Sequence, residues 1–315
     1  MAKKRSNAKL QWIISFVLTW LVSRRLTIEG DRYTIENPVS LLLRKQGVAK
    51  FSNGYEIPYN RENKKSIVNL VYFVMQSGMR FGEKGNQWKL DPVNGIIRTH
   101  QGIKLSLHTI GLIDETFLYQ IHFSGFDLKG RVVITGGAYI GDTPLFYSYY
   151  GATVYAFEPD PNSFNQALAN VKMNPELSQR INMGNYGIGV DEEIDFPLGT
   201  ENSGGSSIYH DNQKRTAKVR FLSITTILKQ FNISDPYLLD LDIKGSEFNV
   251  IEDDSIRKFQ KIRIEYSPYL LKSSQKTLDY LIHRLRNYGF LKMRVYKHND
   301  LRFDLENHGV LEAER

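Results

Sequence analysis

The feature that most constrains the fold is an alternation of short apolar runs with helical segments, beginning near Leu128. Runs of this kind are VVIT, VYAF, INMGNYGIG, PYLLDLDI and KIRIEYSP. Helical segments follow Gly141 and Pro161, and a longer one spans about Ser274 to Tyr288. Strands separated by helices predict an α/β fold with a mostly parallel sheet and right-handed crossovers. GFLKMRVYK and LRFDLEN are predicted to close that sheet as an antiparallel pair.

The preceding sequence has a different character. TIEGDRYTIEN and FSNGYEIPY carry hairpin signals, and residues 62–81 have helical periodicity through Ile67, Leu70, Val71 and Val74. We therefore predict three parts, namely an apolar and basic helix over 1–25, a β-rich accessory region over 26–125 and an α/β domain over 126–315.

The first part has an apolar run from Trp12 to Val22 with basic residues on both sides. This run is too short to span a bilayer, which takes about 20 apolar residues. Its tryptophans and cations suit a helix lying in a membrane interface, so residues 10–25 are a candidate for peripheral membrane contact. The alternative is a helix packed on the protein body or on a second subunit. The expected location is cytoplasmic, either free or on the inner membrane face. The sequence leaves open whether the protein forms a homo-oligomer.

Composition removes several classes of function. The 315 residues contain no cysteine, so disulfides, thiolate metal sites and cysteine nucleophiles are excluded. No metal site is predicted. The net charge of +7 is scattered along the chain without an arginine-rich tract. A solvated basic surface therefore explains the charge better than a nucleic-acid partner does.

The glycine-rich turn in VVITGGAYIGDT follows a buried strand and opens a helix, as nucleotide-binding loops do. Thr135, Gly136, Gly137 and Ala138 match the start of the NAD loop of extended short-chain dehydrogenases. The loop is one residue short for that class, however, and about 130 residues precede it. A Tyr288–Lys292 pair has the dehydrogenase spacing, but Gly289 predicts a helix end between the two residues.

A larger part of the chain resembles a different family. VVITGGAYIGDT, then VYAFEPDP, then YLLDLDIKGSEF and IRIEYSP resemble, in this order, the FkbM family of S-adenosylmethionine-dependent methyltransferases. The resemblance covers roughly residues 112–295. It implies a Rossmann-like class I methyltransferase fold, S-adenosylmethionine as the cofactor, and a small molecule, sugar or lipid-linked glycan as the methyl acceptor.

The resemblance also implies a cofactor site. Its candidate residues are Thr135, Gly137, Ala138, Tyr139, Gly141, Asp142, Glu158, Pro159, Ser207 and Asp242. Gly137 and Gly141 are expected to let the backbone approach the methionine part of the cofactor. Asp142 is expected to cap the following helix near the cofactor. Glu158 ends the second strand, where its carboxylate suits the ribose hydroxyls.

A hydroxyl acceptor also needs a base to take its proton. Asp242, Glu247 and Glu265 are the candidates, because they lie at or just beyond the ends of the fourth and fifth strands. The sequence departs from the family at Thr135, usually acidic, and at Tyr139, often asparagine. Asp240 and Lys244 also exchange the signs of two family residues, which predicts an ion pair with reversed poles if their side chains meet.

These departures leave two alternatives beside methyl transfer to oxygen. One is a catalytically degenerate domain that serves as a binding or assembly module. The other is the NAD(P)-dependent oxidoreductase. An adenine or cytosine acceptor would require an Asn/Asp-Pro-Pro-aromatic tetrapeptide after the fourth strand, and DLDIKG differs from it.

Overall fold

The fold is taken from a computed structural model. It describes residues 13–14, 16–18, 20–21, 26–28, 31–33, 35–51, 56–61, 64, 67–68, 71, 88–91, 94–106, 113, 116–117, 127–198, 215–271, 275–297 and 304–315. The chain divides into two compact units, Met1–Tyr119 and Gln120–Arg315.

The first unit is rich in short strands. They are β1 (Leu26–Ile28), β2 (Asp31–Tyr33), β3 (Gly47–Lys50), β4 (Glu56–Tyr59), β5 (Lys89–Asp91), β6 (Ile96–Arg98) and β7 (Lys104–Ser106), with helix α1 (Pro38–Leu43). β1 and β2 pair antiparallel within the sheet β2–β1–β5–β6–β7, and β3 and β4 form a separate antiparallel pair. Both pairs lie where hairpins are predicted.

The apolar N-terminal run is helical at residues 13–14, 16–18 and 20–21. Phe16 is buried, and Trp20 donates its indole N–H to the carbonyl of Ile35 at 3.2 Å, so this run contacts its own unit. Three apolar residues on it are exposed, namely Ile14, Leu18 and Leu21. Among the described residues, no helix combines the length and the hydropathy that crossing a membrane requires. Peripheral membrane contact and homo-oligomerisation remain predictions.

The second unit is an α/β domain. Its strands are β8 (Val132–Gly136), β9 (Thr153–Phe157), β10 (Ile181–Gly184), β11 (Gly187–Ile188), β12 (Glu192–Pro197), β13 (Thr216–Leu222), β14 (Leu238–Leu241), β15 (Lys261–Tyr266), β16 (Lys292–Tyr296) and β17 (Gly309–Glu314). Its helices are α2 (Asp142–Tyr149), α3 (Pro161–Lys172), α4 (Pro175–Ser178), α5 (Ile224–Gln230), α6 (Glu247–Val250) and α7 (Leu278–Asn287).

Seven of these strands form the main sheet, in the order β10–β9–β8–β14–β15–β17–β16. The first five run parallel, and β17 runs antiparallel to both β15 and β16. This confirms the predicted Rossmann-like class I fold. The chain moves outward from β8 in one direction and then returns to β14 on the other side. The crevice between the carboxyl ends of β8 and β14 is therefore the topological switch point, where such sheets bind ligands.

The apolar runs form the sheet because both of its faces are covered. Val133, Leu239, Ile262 and Ile264 are all fully buried in neighbouring strands. Helix α3 begins at Pro161 behind the cap of Asp160, whose carboxylate accepts the N–H of Asn162 at 2.8 Å. Helix α3 therefore begins where the sequence predicts a helical segment.

A row of polar side chains crosses this apolar sheet. Asp240 is in register with Thr135 on one side and with Arg263 on the other. Arg263 donates to Asp240 Oδ1 at 2.6 Å, while Thr135 and Tyr147 donate hydroxyls to Oδ2 at 3.3 and 2.9 Å. All four side chains are buried. The network pairs a buried carboxylate with a buried guanidinium inside the core.

Two predicted features differ from the structure. The antiparallel partner of β16 is β17 rather than LRFDLEN, because Asp304 accepts the N–H groups of Asn307 and His308 and forms a turn there. The acidic stretch 191–195, whose composition predicts a solvated turn, is instead strand β12 from Glu192 onward. β12 pairs with β13 in a small sheet of the order β11–β13–β12.

Candidate functional site

The loop that follows β8 is fastened to the end of β9. The N–H groups of Gly137 and Ala138 both donate to Phe157 O, at 2.9 and 3.1 Å, and Gly141 N donates to Ala138 O at 2.7 Å. Gly141, with φ 84°, is the N-cap of α2. Helix α3 also contributes, since Asn170 donates its side-chain amide to Ile140 O at 2.8 Å. The loop is therefore held in one shape by two strands and two helices.

The glycines of this loop are required by packing within the protein. A Cβ on Gly137, where φ is 81°, would lie 2.0 Å from the carbonyl oxygen of Asp242. A Cβ on Gly141 would lie 3.1 Å from the carbonyl oxygen of Ala167 in α3. From the sequence, Gly137 and Gly141 are expected to let the backbone approach a cofactor closely. The structure adds a reason within the protein itself, because the loop packs directly against the end of β14 and against α3.

We expect Gly137→Ala to destabilise the protein by about 1–3 kcal/mol more than Gly130→Ala, which is the range typical of overpacking. Both glycines have left-handed φ, 81° and 71°, so both variants bear the penalty of about 1–2 kcal/mol for that conformation. Only Gly137 adds a clash, since a Cβ on Gly130 meets nothing within 4 Å. Urea unfolding of the two variants measures the difference. Equal losses would show that the contact with Asp242 relaxes freely.

Glu158 is the buried carboxylate of this edge. Its Oε2 accepts the N–H of Tyr139 at 2.8 Å, and its Oε1 accepts the N–H of Asp160 at 2.9 Å. Asn185 holds the backbone around it, donating to the carbonyls of Glu158 and Pro159 at 2.8 and 3.1 Å. Burial raises the pKa of Glu158 to about 8, although the two N–H donors act in the opposite direction. The carboxyl group is therefore mostly protonated at neutral pH in the free protein.

Tyr139 lies among acidic groups at the centre of the loop. Burial, and then the negative charges of Asp142 and Glu158, raise the pKa of its phenol to about 12. Its φ of 44° is left-handed, which is uncommon for a side chain of this size. Strained backbone of this kind concentrates at functional sites. The two acidic side chains thus act together with burial on this phenol, and Lys244 acts against them.

The other candidate cofactor residues differ in their placement. Asp142 is the first residue of α2 and is buried; the cap position predicted for it belongs to Gly141, which has no side chain to bond. Pro159 is half-buried beside Glu158. The hydroxyl of Thr135 donates to Asp240 within the buried polar row, away from the loop. Ser207 lies outside the described residues.

At the end of β14, one ammonium group lies between two carboxylates. Lys244 Nζ is 3.1 Å from Asp242 Oδ1 and 4.0 Å from Glu265 Oε1. Burial opposes the charged amine, but Asp242 and Glu265 hold the pKa of Lys244 well above its usual range. Lys244 has a left-handed φ of 45°, the second such residue of the site after Tyr139. Asp242 N donates to Gly136 O at 3.1 Å, which joins this cluster to β8.

The prediction of an ion pair between Asp240 and Lys244 is wrong. Asp240 is paired with Arg263 inside the sheet, whereas Lys244 pairs with Asp242 at the sheet edge. The strand ends at Leu241, and the turn that follows directs Lys244 back toward Asp242. The reversed charges at positions 240 and 244 therefore belong to two separate ion pairs. Asp240 pairs with Arg263 in the core, and Lys244 pairs with Asp242 in the site.

Glu247 is enclosed by backbone. Its Oε2 accepts Gly245 N at 2.6 Å and its Oε1 accepts Ser267 N at 2.8 Å, with the side chain fully buried. Burial raises its pKa to about 7 against these N–H donors. Both oxygens are used to join the turn after β14 to the end of β15. This geometry favours a structural role over the predicted role of a base.

His308 belongs to the same edge, although nothing in the sequence marks it as a site residue. It immediately precedes β17, and its Nε2 lies 3.9 Å from Glu265 Oε1. In the sequence, Glu265 is followed by Tyr266, Ser267 and Pro268. The antiparallel pairing of β15 with β17 brings a histidine to this place from 43 residues farther along the chain, Glu265 to His308.

The dehydrogenase pair is not assembled. Tyr288 is the C-cap of α7, and Lys292 begins β16 after the turn at Gly289. Arg284 donates to the phenol oxygen of Tyr288 at 2.7 Å, and the guanidinium of Arg257 lies 4.6 Å from its ring centroid. The dehydrogenase mechanism requires the tyrosine and the lysine on one continuous helix. Tyr288 and Lys292 lie on two different elements and do not meet this requirement.

Several solved structures are similar to this chain. The N-terminal domain of human METTL16 in complex with SAH is 16% identical, with a TM-score of 0.40 over 88% of this chain and 94% of that one. A putative transferase of Pyrococcus horikoshii is 15% identical, with a TM-score of 0.40 over 70% and 71%. Precorrin-6y C5,15-methyltransferase of Geobacter metallireducens is 12% identical, with a TM-score of 0.35 over 59% and 81%. No curated protein matches the chain at the required significance.

The sequence profile described as the methyltransferase FkbM domain matches residues 136–292. This range begins at the end of β8 and ends at the start of β16. It includes the glycine loop, Glu158, the Asp242–Lys244 turn and Glu265, so the match covers most of the site described above. The chain therefore contains a methyltransferase FkbM domain, which spans residues 136–292.

Proposed function

We propose that this protein transfers the methyl group of S-adenosylmethionine to a hydroxyl oxygen of a small molecule, sugar or lipid-linked glycan. The observation that carries the proposal is the position of Glu158. This buried carboxylate faces the glycine loop from the end of β9, beside the switch point of the sheet. In sheets of this kind an acid at that position binds the ribose hydroxyls of a nucleoside.

The residues at the loop fit this cofactor. Glu158 would accept the ribose hydroxyls, and the backbone of Gly137 to Gly141 would line the methionine part. Asp142, the first residue of α2, supplies a carboxylate that complements a sulfonium cation. When bound, S-adenosylmethionine supplies an activated methyl group, so the protein's tasks are to align the acceptor and to remove its proton.

The carboxylate of Asp142 disfavours NAD(P). A dinucleotide loop places the pyrophosphate at the N-terminus of the following helix. Here that position carries Asp142, whose carboxylate would repel the two anionic phosphates. The separation of Tyr288 from Lys292 on two elements points in the same direction.

Calorimetric titration of the full-length protein with S-adenosylmethionine, S-adenosylhomocysteine and NAD in parallel tests the cofactor. We expect micromolar binding of the first two and none of NAD; preferential binding of NAD would overturn the proposal. Incubation with methyl-labelled S-adenosylmethionine and a panel of methyl hexopyranosides and isoprenoid-linked saccharides then tests the acceptor class. Cofactor binding without any S-adenosylhomocysteine formation across the panel would favour the binding-module alternative.

A further inference from the structure

His308 lies at the carboxyl end of β15, where an acceptor would meet the cofactor site. Gly309, the first residue of β17, is in register with Tyr266, the last residue of β15. The residue before β17 is therefore placed at the same edge of the sheet as Asp242 and the glycine loop. Successive contacts connect Asp242 with Lys244, Lys244 with Glu265, and Glu265 with His308.

The contacts of the imidazole favour one tautomer. Nδ1 lies 3.2 Å from the carbonyl oxygen of Tyr266 and 3.2 Å from the hydroxyl of Ser267. A carbonyl oxygen can only accept, so the bond to Tyr266 requires the proton on Nδ1. Nε2 then carries the lone pair. Glu265 Oε1 is 3.9 Å from Nε2, so an imidazolium formed by proton uptake would lie beside a carboxylate.

The carboxylates of the site already have partners within the protein. Asp242 and Glu265 share the ammonium of Lys244, which offsets their negative charge. Glu247 uses both oxygens to accept backbone N–H groups. An imidazole held by a carbonyl and placed next to a carboxylate has the arrangement of a general base with its orienting partners.

We propose that His308 is the general base of the methyl transfer, an inference that rests on the proposed function. Nε2 removes the proton of the acceptor hydroxyl as that oxygen forms a bond to the methyl carbon. The bond between the methyl carbon and sulfur breaks, and its electron pair stays on sulfur. The products are the methyl ether, S-adenosylhomocysteine and an imidazolium next to Glu265. The imidazolium returns its proton to water after the products leave.

Tyr269 indicates the side from which the acceptor approaches. Its ring is 44% exposed and stands edge-on to the imidazole, with the ring centroids 6.0 Å apart. His308 itself is 7% exposed, and the side chains of Asp242 and Lys244 are about one-third exposed. The site is therefore open to solvent between an aromatic ring and polar side chains. An amphipathic acceptor such as a sugar matches this lining.

Nitrogen NMR of the full-length protein labelled with 15N-histidine tests the tautomer and needs no acceptor. We expect the neutral imidazole of His308 to carry its proton on Nδ1, with Nε2 unprotonated. The resonance is assigned by its loss in His308→Asn. A neutral ring protonated on Nε2 would overturn the proposal, because the atom that faces Glu265 would then be unable to accept a proton.

Kinetics of variants test the chemical role. His308→Asn retains a side-chain N–H where Nδ1 donates to Tyr266 but lacks the basic nitrogen. We expect its kcat to fall about 10²–10⁴-fold, the usual contribution of a general base, while its affinity for S-adenosylhomocysteine stays within about twofold. His308→Ala should regain part of its rate when imidazole is added. His283→Asn is the matched control, because His283 is exposed on α7.

The outcomes separate the two proposals. If the wild-type protein fails to bind S-adenosylhomocysteine, the proposed function fails, whatever the tautomer of His308. If it binds the cofactor product and His308→Asn transfers methyl groups at the wild-type rate, the proposed function stands and the role of His308 is refuted. Fluorescence-monitored unfolding of each variant shows that a lost rate is not a lost fold.

Discussion

Replacing Asp240 with alanine is expected to lower the free energy of unfolding by about 3–5 kcal/mol, the cost of breaking a buried ion pair by removing one partner. Asp240 and Arg263 are both buried, with 2.6 Å between Oδ1 and the guanidinium. The variant leaves the guanidinium charged inside the sheet, since arginine does not give up its proton. It also removes the acceptor for the hydroxyls of Thr135 and Tyr147. Urea unfolding measures the loss.

A double variant and an exposed pair serve as controls. Asp240→Leu combined with Arg263→Met removes both charges, and we expect it to be substantially more stable than Asp240→Ala, because apolar side chains of similar volume often replace buried pairs well. Glu193→Ala breaks an exposed pair with Lys218 and should change stability by at most about 1 kcal/mol. A loss as small as that for Asp240→Ala would show that water reaches Arg263.

The pair of Asp240 and Arg263 also shows which parts of the fold can be predicted from the sequence. VVIT, PYLLDLDI and KIRIEYSP predict strands because parallel strands buried on both faces are nearly continuous apolar runs. The sequence does not specify which strands are neighbours or in which register. The sequence therefore offers Lys244, four residues along the chain, as a partner for Asp240, whereas Arg263 is opposite Asp240 in the next strand and pairs with it.

The same limit applies to the site. Glu158, Asp242 and Glu265 are predictable because each ends or follows an apolar strand, and the carboxyl ends of parallel strands share one edge. His308 is not predictable, because it reaches this edge only through the antiparallel return of β17. The contact that excludes a side chain at Gly137 is not predictable either, because it comes from Asp242, 105 residues away. Local signals identify elements, whereas partners depend on sheet order.

The affinity of the site for a nucleoside is expected to rise as pH increases through about 8. Burial holds the pKa of Glu158 near 8, so the free carboxyl group is mostly protonated at pH 7. Ribose hydroxyls donate more strongly to the ionised carboxylate, so binding favours loss of the proton. Lowering the pH from 8 to 6 therefore weakens binding by up to about tenfold per unit. Above pH 8 the affinity levels off.

The raised pKa of Glu158 also determines how the stability of the folded protein changes with pH. The usual pKa of the group is 4.5, and the folded value is about 8. Between these values the unfolded chain is ionised while Glu158 in the folded protein retains its proton. The contribution of Glu158 to the free energy of unfolding is therefore fully present below pH 4.5 and is lost as pH rises to about 8. Cofactor binding at pH 8 acts against this loss.

The probe for the affinity measurement is 5′-methylthioadenosine, which has the ribose hydroxyls but no amino or carboxyl group to titrate. Calorimetry between pH 6 and 9 gives its affinity, and buffers of different ionisation enthalpy report the proton released. Glu158→Gln should lose the pH dependence and bind about 10–150-fold more weakly, the equivalent of about 1.5–3 kcal/mol for hydrogen bonds to a charged group. Glu193→Gln, on the exposed strand β12, is the control. A pH-independent affinity in the wild-type protein would mean that Glu158 does not face the ribose, and the nucleoside would have to be placed elsewhere along the edge between β8 and β14.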